Sequence, residues 1–357
     1  MKKILFVTDA WTPQINGVVR VLQALIPILE ARGYEVSLIE PGQFRAKVPL
    51  PLYPEIKLAL FPRRRVAKMI DELQPDAVCI VTEWSLGWAA RSVCRERGIP
   101  FTTWYHSHFQ LYIDLRLRGL LKPILAYIRR FHSAAARTLV STESLRRELE
   151  ATGFKNLVLM PLGVDTALFT RNLATPVPPL PKPVFVYFSR LAPEKSPEEF
   201  LKLTLPGTKL VIGDGPLRAR LEKKYASGNT FVGYKRGQEL VDWLSISDVF
   251  VFPSRTETFG LVVLEALACG IPVAAHDVMG PHDTVSHGVD GYLGDDLQKA
   301  AVRCLDLSPE DCRKKAELFS WEHAADALLA NLSAAARGAI FHAPPDAPAR
   351  AQHEVDE

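Results

Sequence analysis

Short apolar runs alternate with amphipathic stretches along almost the whole chain. In the first half, KILFVTD (3–9), DAVCIVT (76–82) and IPFTTWYH (99–106) are too uniformly apolar to leave one face to solvent, so they predict strands buried on both faces. Segments of helical period lie between such runs, for example VVRVLQALIPILEARG (18–33). The alternation is typical of βαβ units and predicts an α/β fold built on parallel sheets.

A proline-rich stretch divides the chain into two halves. NLATPVPPLPKP (172–183) holds five prolines in twelve residues and predicts a stiff linker, because proline cannot join the interior of a sheet. After it the alternation restarts with VFVYFSRL (184–191) and DVFVFPS (248–254). Two Rossmann-like domains of doubly wound parallel sheets, facing each other across a cleft, are therefore predicted. The expected bounds are 1–172 and 184–320 for the domains, 173–183 for the linker and 338–357 for a disordered tail.

Composition is that of a globular protein, since 48% of the 357 residues are apolar and 23% are charged. No apolar run reaches the roughly 18 residues of a membrane-spanning helix, so none is predicted. The start, MKKILFVTDAW, has too short an apolar core for a signal peptide, because Asp9 interrupts it. Five cysteines, an odd number without a CxxC pair, indicate a reduced cytoplasmic protein.

The two halves of the chain differ in charge. Residues 1–172 carry 24 Lys and Arg against 15 Asp and Glu, whereas the remainder carries 19 against 25. Basic residues concentrate in LYIDLRLRGLLKPILAYIRRFH (111–132) and in the triplet RRR (63–65), which predicts an anionic membrane surface as a partner of the first domain. The alternatives are a core helix with a solvated basic edge and ordinary drift in surface charge. No groove-reading motif or aromatic stacking platform is visible, so nucleic acid is not predicted as a partner.

A carboxylate stands in the middle of the apolar stretch FGLVVLEALAC (259–269). This stretch follows a strand and the loop RTET, and Gly270 with Pro272 ends it as a helix. Burying Glu265 there without partners would be costly. We predict that Glu265 accepts hydrogen bonds from two adjacent hydroxyls, as on a ribose. Its capping of an internal arginine or backbone group is the alternative.

A second carboxylate, Glu257, lies at the carboxyl end of the preceding strand, where open parallel sheets bind their ligands. The helix after it begins near Phe259, Gly260 and Leu261. Backbone N–H groups at a helix start have no partner within the helix and suit anions and hydroxyl oxygens. Glu257 and these three residues are therefore candidates for ligand binding.

Two cations follow the first strand of the second half. FSRLAPEKS (188–196) brings Arg190 and Lys195 into one loop, and such a pair suits a diphosphate. Arginine and lysine are common in loops, so the position after the strand is what favours a functional role.

The first half offers one glycine and two histidines at predicted strand ends. Gly17, in TDAWTPQINGVVRVL (8–22), would let the backbone approach a ligand closely, although a plain turn glycine is the alternative. His106 and His108 follow a strand and share one face, which favours a histidine in the cleft. No acidic ligands accompany the HxH pair, so no metal is predicted.

Together these residues resemble family 4 of the retaining glycosyltransferases, which have the GT-B fold. The match rests on Glu257-x7-Glu265 within FPSRTETFGLVVLEALACGIPV and on the Arg190 and Lys195 pair. The segments PQINGV, YHSHF and GVDTALF add to it. The resemblance spans roughly residues 1–333, with the pieces in the family's order and spacing.

The resemblance implies a role for each candidate residue. Arg190 and Lys195 would hold the diphosphate of a nucleotide-sugar donor and take the place of a metal ion. Glu265 would bind the ribose, and Glu257 with the amides of residues 259–261 would grip the hydroxyls of the sugar. Gly17 would approach the phosphate or the sugar from the first domain, and His106 would contact the sugar near the reaction centre.

Further expectations follow from the same resemblance. The resemblance implies no metal and no other cofactor, because Arg190 and Lys195 take the place of a metal ion. It also implies no covalent intermediate, since the family retains configuration by front-face attack. The segment 321–337 resembles a terminal helix that crosses back to the first, acceptor-side domain. His108 stands where many relatives carry a different residue, so donor and acceptor preference stay open.

Within the family, the chain resembles bacterial enzymes that glycosylate lipids or lipopolysaccharide. The expected function is transfer of a hexosyl or uronosyl group from a UDP-sugar or GDP-mannose to a membrane lipid such as diacylglycerol. The protein is expected in the cytoplasm, bound peripherally to the inner face of the cytoplasmic membrane. The first alternative is a GDP-mannose-dependent mannosyltransferase acting on lipopolysaccharide or another glycan. A non-hydrolysing nucleotide-sugar epimerase and a catalytically silent nucleotide-sugar-binding subunit are more remote.

Overall fold

Strands and helices alternate in both halves of the chain, as the hydrophobic pattern predicts. The computed structural model describes residues 1–14, 16–50, 53–106, 121–172 and 174–336. The strands are β1 (Lys3–Val7), β2 (Glu35–Ile39), β3 (Lys47–Leu50), β4 (Tyr53–Ala59), β5 (Ala77–Ile80), β6 (Phe101–Trp104), β7 (Arg137–Val140), β8 (Leu157–Leu159), β9 (Val184–Phe188), β10 (Thr208–Ile212), β11 (Asn229–Gly233), β12 (Val249–Phe252), β13 (Val273–Ala275) and β14 (Gly291–Leu293).

The helices lie between these strands and after the last of them. They are α1 (Gly17–Ala31), α2 (Arg63–Leu73), α3 (Ser85–Glu96), α4 (Leu121–His132), α5 (Glu143–Ala151), α6 (Pro197–Lys202), α7 (Arg218–Tyr225), α8 (Gly237–Ser245), α9 (Leu261–Ala268), α10 (Pro281–Thr284), α11 (Leu297–Cys304), α12 (Pro309–Glu317) and α13 (Trp321–Ala336). The predicted tail at 338–357, the first part of the basic segment at 111–120 and His108 lie outside the described residues.

The first sheet is parallel, with the order β2-β1-β5-β6-β7-β8. Side chains of a strand point alternately to the two faces, which explains why the four buried residues of β1, Ile4 to Val7, are all apolar. Ile4 and Phe6 lie in the core cluster that includes residues of α1 and α13. Leu5 and Val7 lie in the cluster on the other face, with residues of α2 and α3. Helices thus cover both faces of the sheet.

The second sheet repeats this arrangement, with the order β11-β10-β9-β12-β13-β14. Val186 and Phe188 of β9 pack in one cluster, whereas Phe185 and Tyr187 pack in the cluster on the other face. The two parallel-sheet domains confirm the predicted α/β class. β9 lies between β10 and β12, so the loops after β9 and β12 meet at one edge of the sheet.

An antiparallel hairpin, β3 with β4, stands apart from both sheets, with Val48 opposite Leu58. The hydrophobic pattern does not predict it. A short two-stranded ribbon with exposed side chains lacks the continuous apolar run that marks a buried strand.

Helix α13 packs on α1, β5 and β6 of the first domain. Arg32, directly after α1, forms ion pairs with Glu322 and Asp326 of this helix, and Arg137 Nη1 donates to Asn331 Oδ1 at 2.8 Å. The end of the described chain is therefore held against the first domain. Within the described residues, the structure has no helix with the length and apolar character needed to cross a membrane.

Candidate active site

The loop after β12 carries Glu257 to the edge of the second sheet. The Glu257 side chain is buried, and its Oε1 accepts a hydrogen bond of 2.6 Å from Ser254 Oγ. The same oxygen forms an ion pair with Lys195 Nζ. A buried carboxylate is tolerated when its charge is paired and hydrogen-bonded, and both conditions hold at Glu257.

The loop after β9 meets the loop of Glu257, although 62 residues separate Lys195 from Glu257 in the chain. Lys195 ends a short 3₁₀ turn, Pro193–Lys195. The hydroxyl of Thr256 donates to the backbone carbonyl of Glu194 at 3.2 Å, and Ser254 Oγ lies 3.2 Å from the same oxygen, so the two loops are in contact.

Arg190 lies in the same loop as Lys195. The hydroxyl of Tyr187, on β9, donates to the backbone carbonyl of Arg190 at 3.0 Å and so fixes the backbone there. Both candidate cations are only partly buried, which leaves them within reach of a ligand. The structure thus places Arg190, Lys195 and Glu257 at one sheet edge.

The turn from Phe259 to Leu261 opens helix α9. Gly260 has a φ of 83°, a left-handed conformation that favours glycine, and a Cβ there would lie 3.3 Å from Val263 Cγ2. Phe259 is buried and packs edge to face on Phe319. Gly280 packs against this turn from behind, since a Cβ on it would lie 3.0 Å from the Phe259 carbonyl oxygen.

Glu265 lies in α9 and is 5% exposed. Its Oε1 forms an ion pair with Nη2 of Arg20, from helix α1 of the first domain. Its Oε2 is buried and has no hydrogen-bond partner within the described part of the chain. Burial raises the pKa of Glu265, and the charge and hydrogen bond of Arg20 oppose that rise.

The alternative considered from the sequence, that Glu265 pairs with an internal arginine, is therefore partly realised, because Arg20 does contact Glu265. The arginine uses one carboxylate oxygen and leaves the other without a donor. A buried polar atom without a partner is rare in folded proteins and calls for a ligand, a water or a functional reason. A cavity of about 140 Å³ adjoins the pair, lined by Arg20, Gly163, Leu261, Glu265 and Trp321 among others.

Gly17 is the first residue of α1, and Asn16 caps the helix by accepting a hydrogen bond from the Val19 amide at 3.0 Å. A Cβ on Gly17 would meet no atom of the described residues within 4 Å. The described part of the protein therefore leaves space next to this backbone. Arg20 lies three residues after Gly17, in the first turn of the same helix.

His106 follows β6 of the first sheet. Its ring stacks on Trp104 with the centroids 4.5 Å apart, and its Nε2 is buried without a partner among the described residues. Burial lowers the pKa of His106 to about 3, so the imidazole is neutral near pH 7. A neutral ring can donate or accept one hydrogen bond at Nε2, depending on its tautomer.

Thr258 joins the two domains at this point. Its Oγ1 donates to the backbone carbonyl of His106 at 2.8 Å. Its own carbonyl accepts hydrogen bonds from Ser141 Oγ at 3.3 Å and Thr142 Oγ1 at 3.4 Å. The residue next to Glu257 thus contacts the ends of two first-domain strands.

Two carboxyl groups, Asp9 and Glu83, follow strands of the first sheet at the same edge as His106. Asp9 follows β1 and accepts hydrogen bonds from Thr82 Oγ1 and the Leu86 amide, each at 2.9 Å, but burial raises its pKa. Burial also raises the pKa of Glu83, which follows β5, to about 7. Both groups follow the carboxyl ends of neighbouring strands, β1 and β5.

Within the described ranges, no cluster of three or more histidine, cysteine or acidic side chains could hold a metal ion. His108, the second residue of the HxH pair, falls outside those ranges.

The sequence patterns give no indication of a role for Arg20, Thr258 or Gly280. Each acts through a contact between distant parts of the chain. For two of them, proximity in the sequence to a candidate residue could have drawn attention: Arg20 lies three residues after Gly17, and Thr258 directly follows Glu257.

Comparison with known proteins identifies the family. The Glycosyltransferase Family 4 model matches residues 15–168, and the Glycosyl transferases group 1 model matches residues 171–311. A GDP-mannose-dependent alpha-(1-6)-phosphatidylinositol dimannoside mannosyltransferase of Mycobacterium tuberculosis is 31% identical, over 94% of this chain and 97% of its own. The chain is a group 1 glycosyltransferase. The resemblance stated from the motifs is confirmed, and so is the prediction of an enzyme that transfers glycosyl groups.

Other relatives of this glycosyltransferase differ in name and in length. A sulfoquinovosyl transferase of Arabidopsis thaliana is 30% identical to this chain. The match covers 81% of this chain and 62% of the Arabidopsis protein, which is longer. Sucrose-phosphate synthase of Thermosynechococcus elongatus has the same fold, with a TM-score of 0.74 at 20% identity, over 94% of this chain and 100% of that chain. HepE of Anabaena, solved with UDP and glucose, has a TM-score of 0.67 at 17% identity over the same shares. The GT-B prediction is confirmed.

Proposed function

We propose that this glycosyltransferase retains configuration and moves a hexosyl or uronosyl group from a nucleotide-diphosphate sugar to a membrane lipid such as diacylglycerol. One observation carries the donor part of the proposal. A buried carboxylate oxygen, Glu265 Oε2, has no donor within the described residues, and it lies on the helix that follows the loop of Glu257. A pair of ribose hydroxyls supplies the missing hydrogen bonds.

The diphosphate of the donor then lies beside Arg190 and Lys195. Lys195 has three N–H donors, so it can contact a phosphate oxygen while it stays paired with Glu257. These two cations, with the backbone amides at the start of α9, stabilise negative charge on the departing diphosphate. No metal ion is needed for that step in this proposal.

The sugar lies between Glu257 and His106. The bond from the anomeric carbon to the diphosphate oxygen breaks, and a bond from the acceptor oxygen forms on the same face of the sugar. The acceptor's proton passes to the departing diphosphate oxygen. His106 is neutral and buried, so it serves as a hydrogen-bonding contact to the sugar and not as a proton donor.

The lipid acceptor is favoured by the charge of the first domain. Residues 1–172 carry 24 Lys and Arg against 15 Asp and Glu, a surplus that attracts the domain to an anionic membrane. The proposed location is the inner face of the cytoplasmic membrane. Sulfoquinovosyl transferase among the relatives fits a donor that carries a modified hexose.

A second candidate is a GDP-mannose-dependent mannosyltransferase that acts on lipopolysaccharide or another glycan. The mycobacterial mannosyltransferase, whose full length this chain nearly spans, favours GDP-mannose as the donor. Both candidates use the same donor site and differ in base, sugar and acceptor.

The test is a transfer assay with purified protein and labelled UDP-glucose, UDP-galactose, UDP-glucuronate or GDP-mannose. Each donor is offered with anionic vesicles containing diacylglycerol, and the label in the organic phase is counted. Label from one donor in that phase supports the lipid acceptor. If the donor is hydrolysed but no label reaches the lipid, the acceptor is a glycan and not diacylglycerol. Sugar interconversion without an acceptor would point to an epimerase, and no turnover of any donor would contradict the proposal.

A further inference from the structure

An aromatic side chain of the first domain stands almost wholly in solvent. Phe61 is 95% exposed, and its neighbour Leu60 is 41% exposed. Both lie in the short connection between β4 and α2, which we call the Leu60–Phe61 tip. Phenylalanine is usually buried, and leaving the ring in water forgoes the favourable transfer of its apolar surface.

The backbone at this tip is strained as well. Phe61 has a φ of 49°, in the left-handed region that bulky residues rarely adopt. Glycine or asparagine would fit such a turn with less strain. A chain that keeps a large aromatic residue in this conformation, without burying it, indicates a role for the ring outside the domain.

Positive charge surrounds the tip. Arg63, Arg64 and Arg65 follow it in the first turn of α2, all three are exposed, and the turn has no acidic residue. Cations in the first turn oppose the helix dipole, so they do not serve to stabilise α2. Arg63 pairs with Glu96 and Arg65 lies over the Phe44 ring, which holds these two side chains beside the tip.

We propose that the Leu60–Phe61 tip inserts into the interfacial layer of an anionic lipid bilayer, while the adjacent arginines bind lipid phosphates. The inference rests on the proposed function, which places the acceptor in a membrane. A protein partner would need a wider complementary surface, whereas a bilayer accepts a single convex apolar tip because its interface is deformable. The charge of the surrounding arginines is complementary to phosphatidylglycerol.

The first experiment uses a reporter at the tip. All five cysteines of the chain are buried, so a cysteine introduced as Phe61→Cys is the reactive thiol for an environment-sensitive dye. Vesicles of phosphatidylglycerol and phosphatidylcholine in equal parts should shift the emission to the blue and raise its intensity. Val289→Cys, at a position 51% exposed on the second domain, is the matched control and should show no shift.

The second experiment separates binding from folding. Phe61→Gly relieves the left-handed strain but gives the unfolded chain more freedom, so the variant should melt close to the temperature of the wild type. Its affinity for the same vesicles, measured by cosedimentation without any donor, should fall about tenfold or more. Leu318→Ser, at a position 67% exposed on the second domain, should bind as the wild type does.

The inference is overturned if Phe61→Gly binds the vesicles as tightly as the wild type, or if the dye at position 61 stays in a water-like environment. Neither measurement requires catalysis. A failed transfer assay therefore leaves the vesicle result interpretable, and an active enzyme that does not insert its tip would overturn this inference alone.

Discussion

Glu265 of helix α9 and Arg20 of helix α1 form an ion pair that joins the two domains beside the interdomain cavity. The pair uses Glu265 Oε1, and Oε2 is buried without a partner in the described ranges. The arginine compensates the charge of the carboxylate, and one oxygen remains for the hydroxyls of a ligand. In the proposed function, donor binding on the second domain is therefore linked to a helix of the first.

Replacing Arg20 should weaken donor binding. Arg20→Ala removes the group that opposes the raised pKa of Glu265, so Glu265 should take up a proton at a higher pH than in the wild type. We expect the KM for the donor to rise about tenfold near pH 7, and the loss to grow as the pH falls. Steady-state kinetics against pH measure this.

Arg20→Lys should restore part of the affinity, because it returns the charge without the planar geometry. Arg32→Ala is the matched control, since Arg32 directly follows the same helix but pairs with Glu322 and Asp326. An Arg20→Ala enzyme with an unchanged donor KM and pH profile would refute the link.

The two carboxylates of the Glu-x7-Glu motif should have separable effects. Glu265→Ala should weaken donor binding more, because its proposed partner is the ribose. Glu257→Ala should mainly lower kcat, because its proposed partner is the reacting sugar and its side chain positions Lys195. Comparing kcat and donor KM for both variants checks this, and equal losses of both parameters in both variants would speak against the assigned roles.

Lys195→Ala should lower kcat/KM by about a hundredfold, the size expected when a charge-stabilising donor is removed from a reaction centre. The variant also leaves Glu257 buried without its cation, so its melting temperature should fall. Lys202→Ala, an exposed lysine on α6, serves as the control for loss of positive charge. Activity close to that of the wild type in Lys195→Ala would remove the lysine from the diphosphate site.

Thr258→Val should reduce kcat with little change in stability. The substitution keeps the side-chain shape and removes the hydrogen bond of 2.8 Å to the His106 carbonyl. We expect about a tenfold loss in kcat, because His106 and Glu257 then lose a fixed relative position. Thr152→Val removes a comparable bond, to Leu149, at a helix end outside the cleft, and should leave kcat unchanged. Similar kcat values for the two variants would contradict the positioning role.

The buried His132 should make folding sensitive to acid. Burial lowers its pKa to about 3, below the value of roughly 6.5 in the unfolded chain. Its contribution to stability is therefore complete above pH 6.5 or so and is lost progressively as the pH falls, by about 2 kcal/mol at about pH 5.

Urea unfolding of the wild type and of His132→Phe at neutral and mildly acidic pH measures that contribution. The difference between the two proteins in the pH dependence of the free energy of unfolding gives the contribution of His132 together with its coupling to His106. If the free energy of unfolding depends on pH in the same way in the two proteins, His132 is not the source of the acid sensitivity.

The sequence predicts the sheets well because buried parallel strands produce continuous apolar runs, as in DAVCIVT and VFVFPS. It also predicts which loops carry charged residues at strand ends, including those of Lys195 and Glu257. The partner of Glu265 could not be predicted, because Arg20 is 245 positions away and only the docking of the two domains brings it near. The hairpin β3–β4 and the exposure of Phe61 depend on local turns that leave no periodic signal.

Nucleotide binding without an acceptor tests the central claim most directly, because it isolates the donor site. Titration calorimetry would compare UDP and GDP on the wild type, Glu265→Ala and Glu150→Ala, where Glu150 is a carboxylate paired with Arg146 on the surface of α5. We expect at least one of the two nucleotides to bind the wild type and Glu150→Ala with equal affinity, and to bind Glu265→Ala with an affinity lower by about tenfold or more. No binding to the wild type, or equal binding to all three proteins, would contradict it.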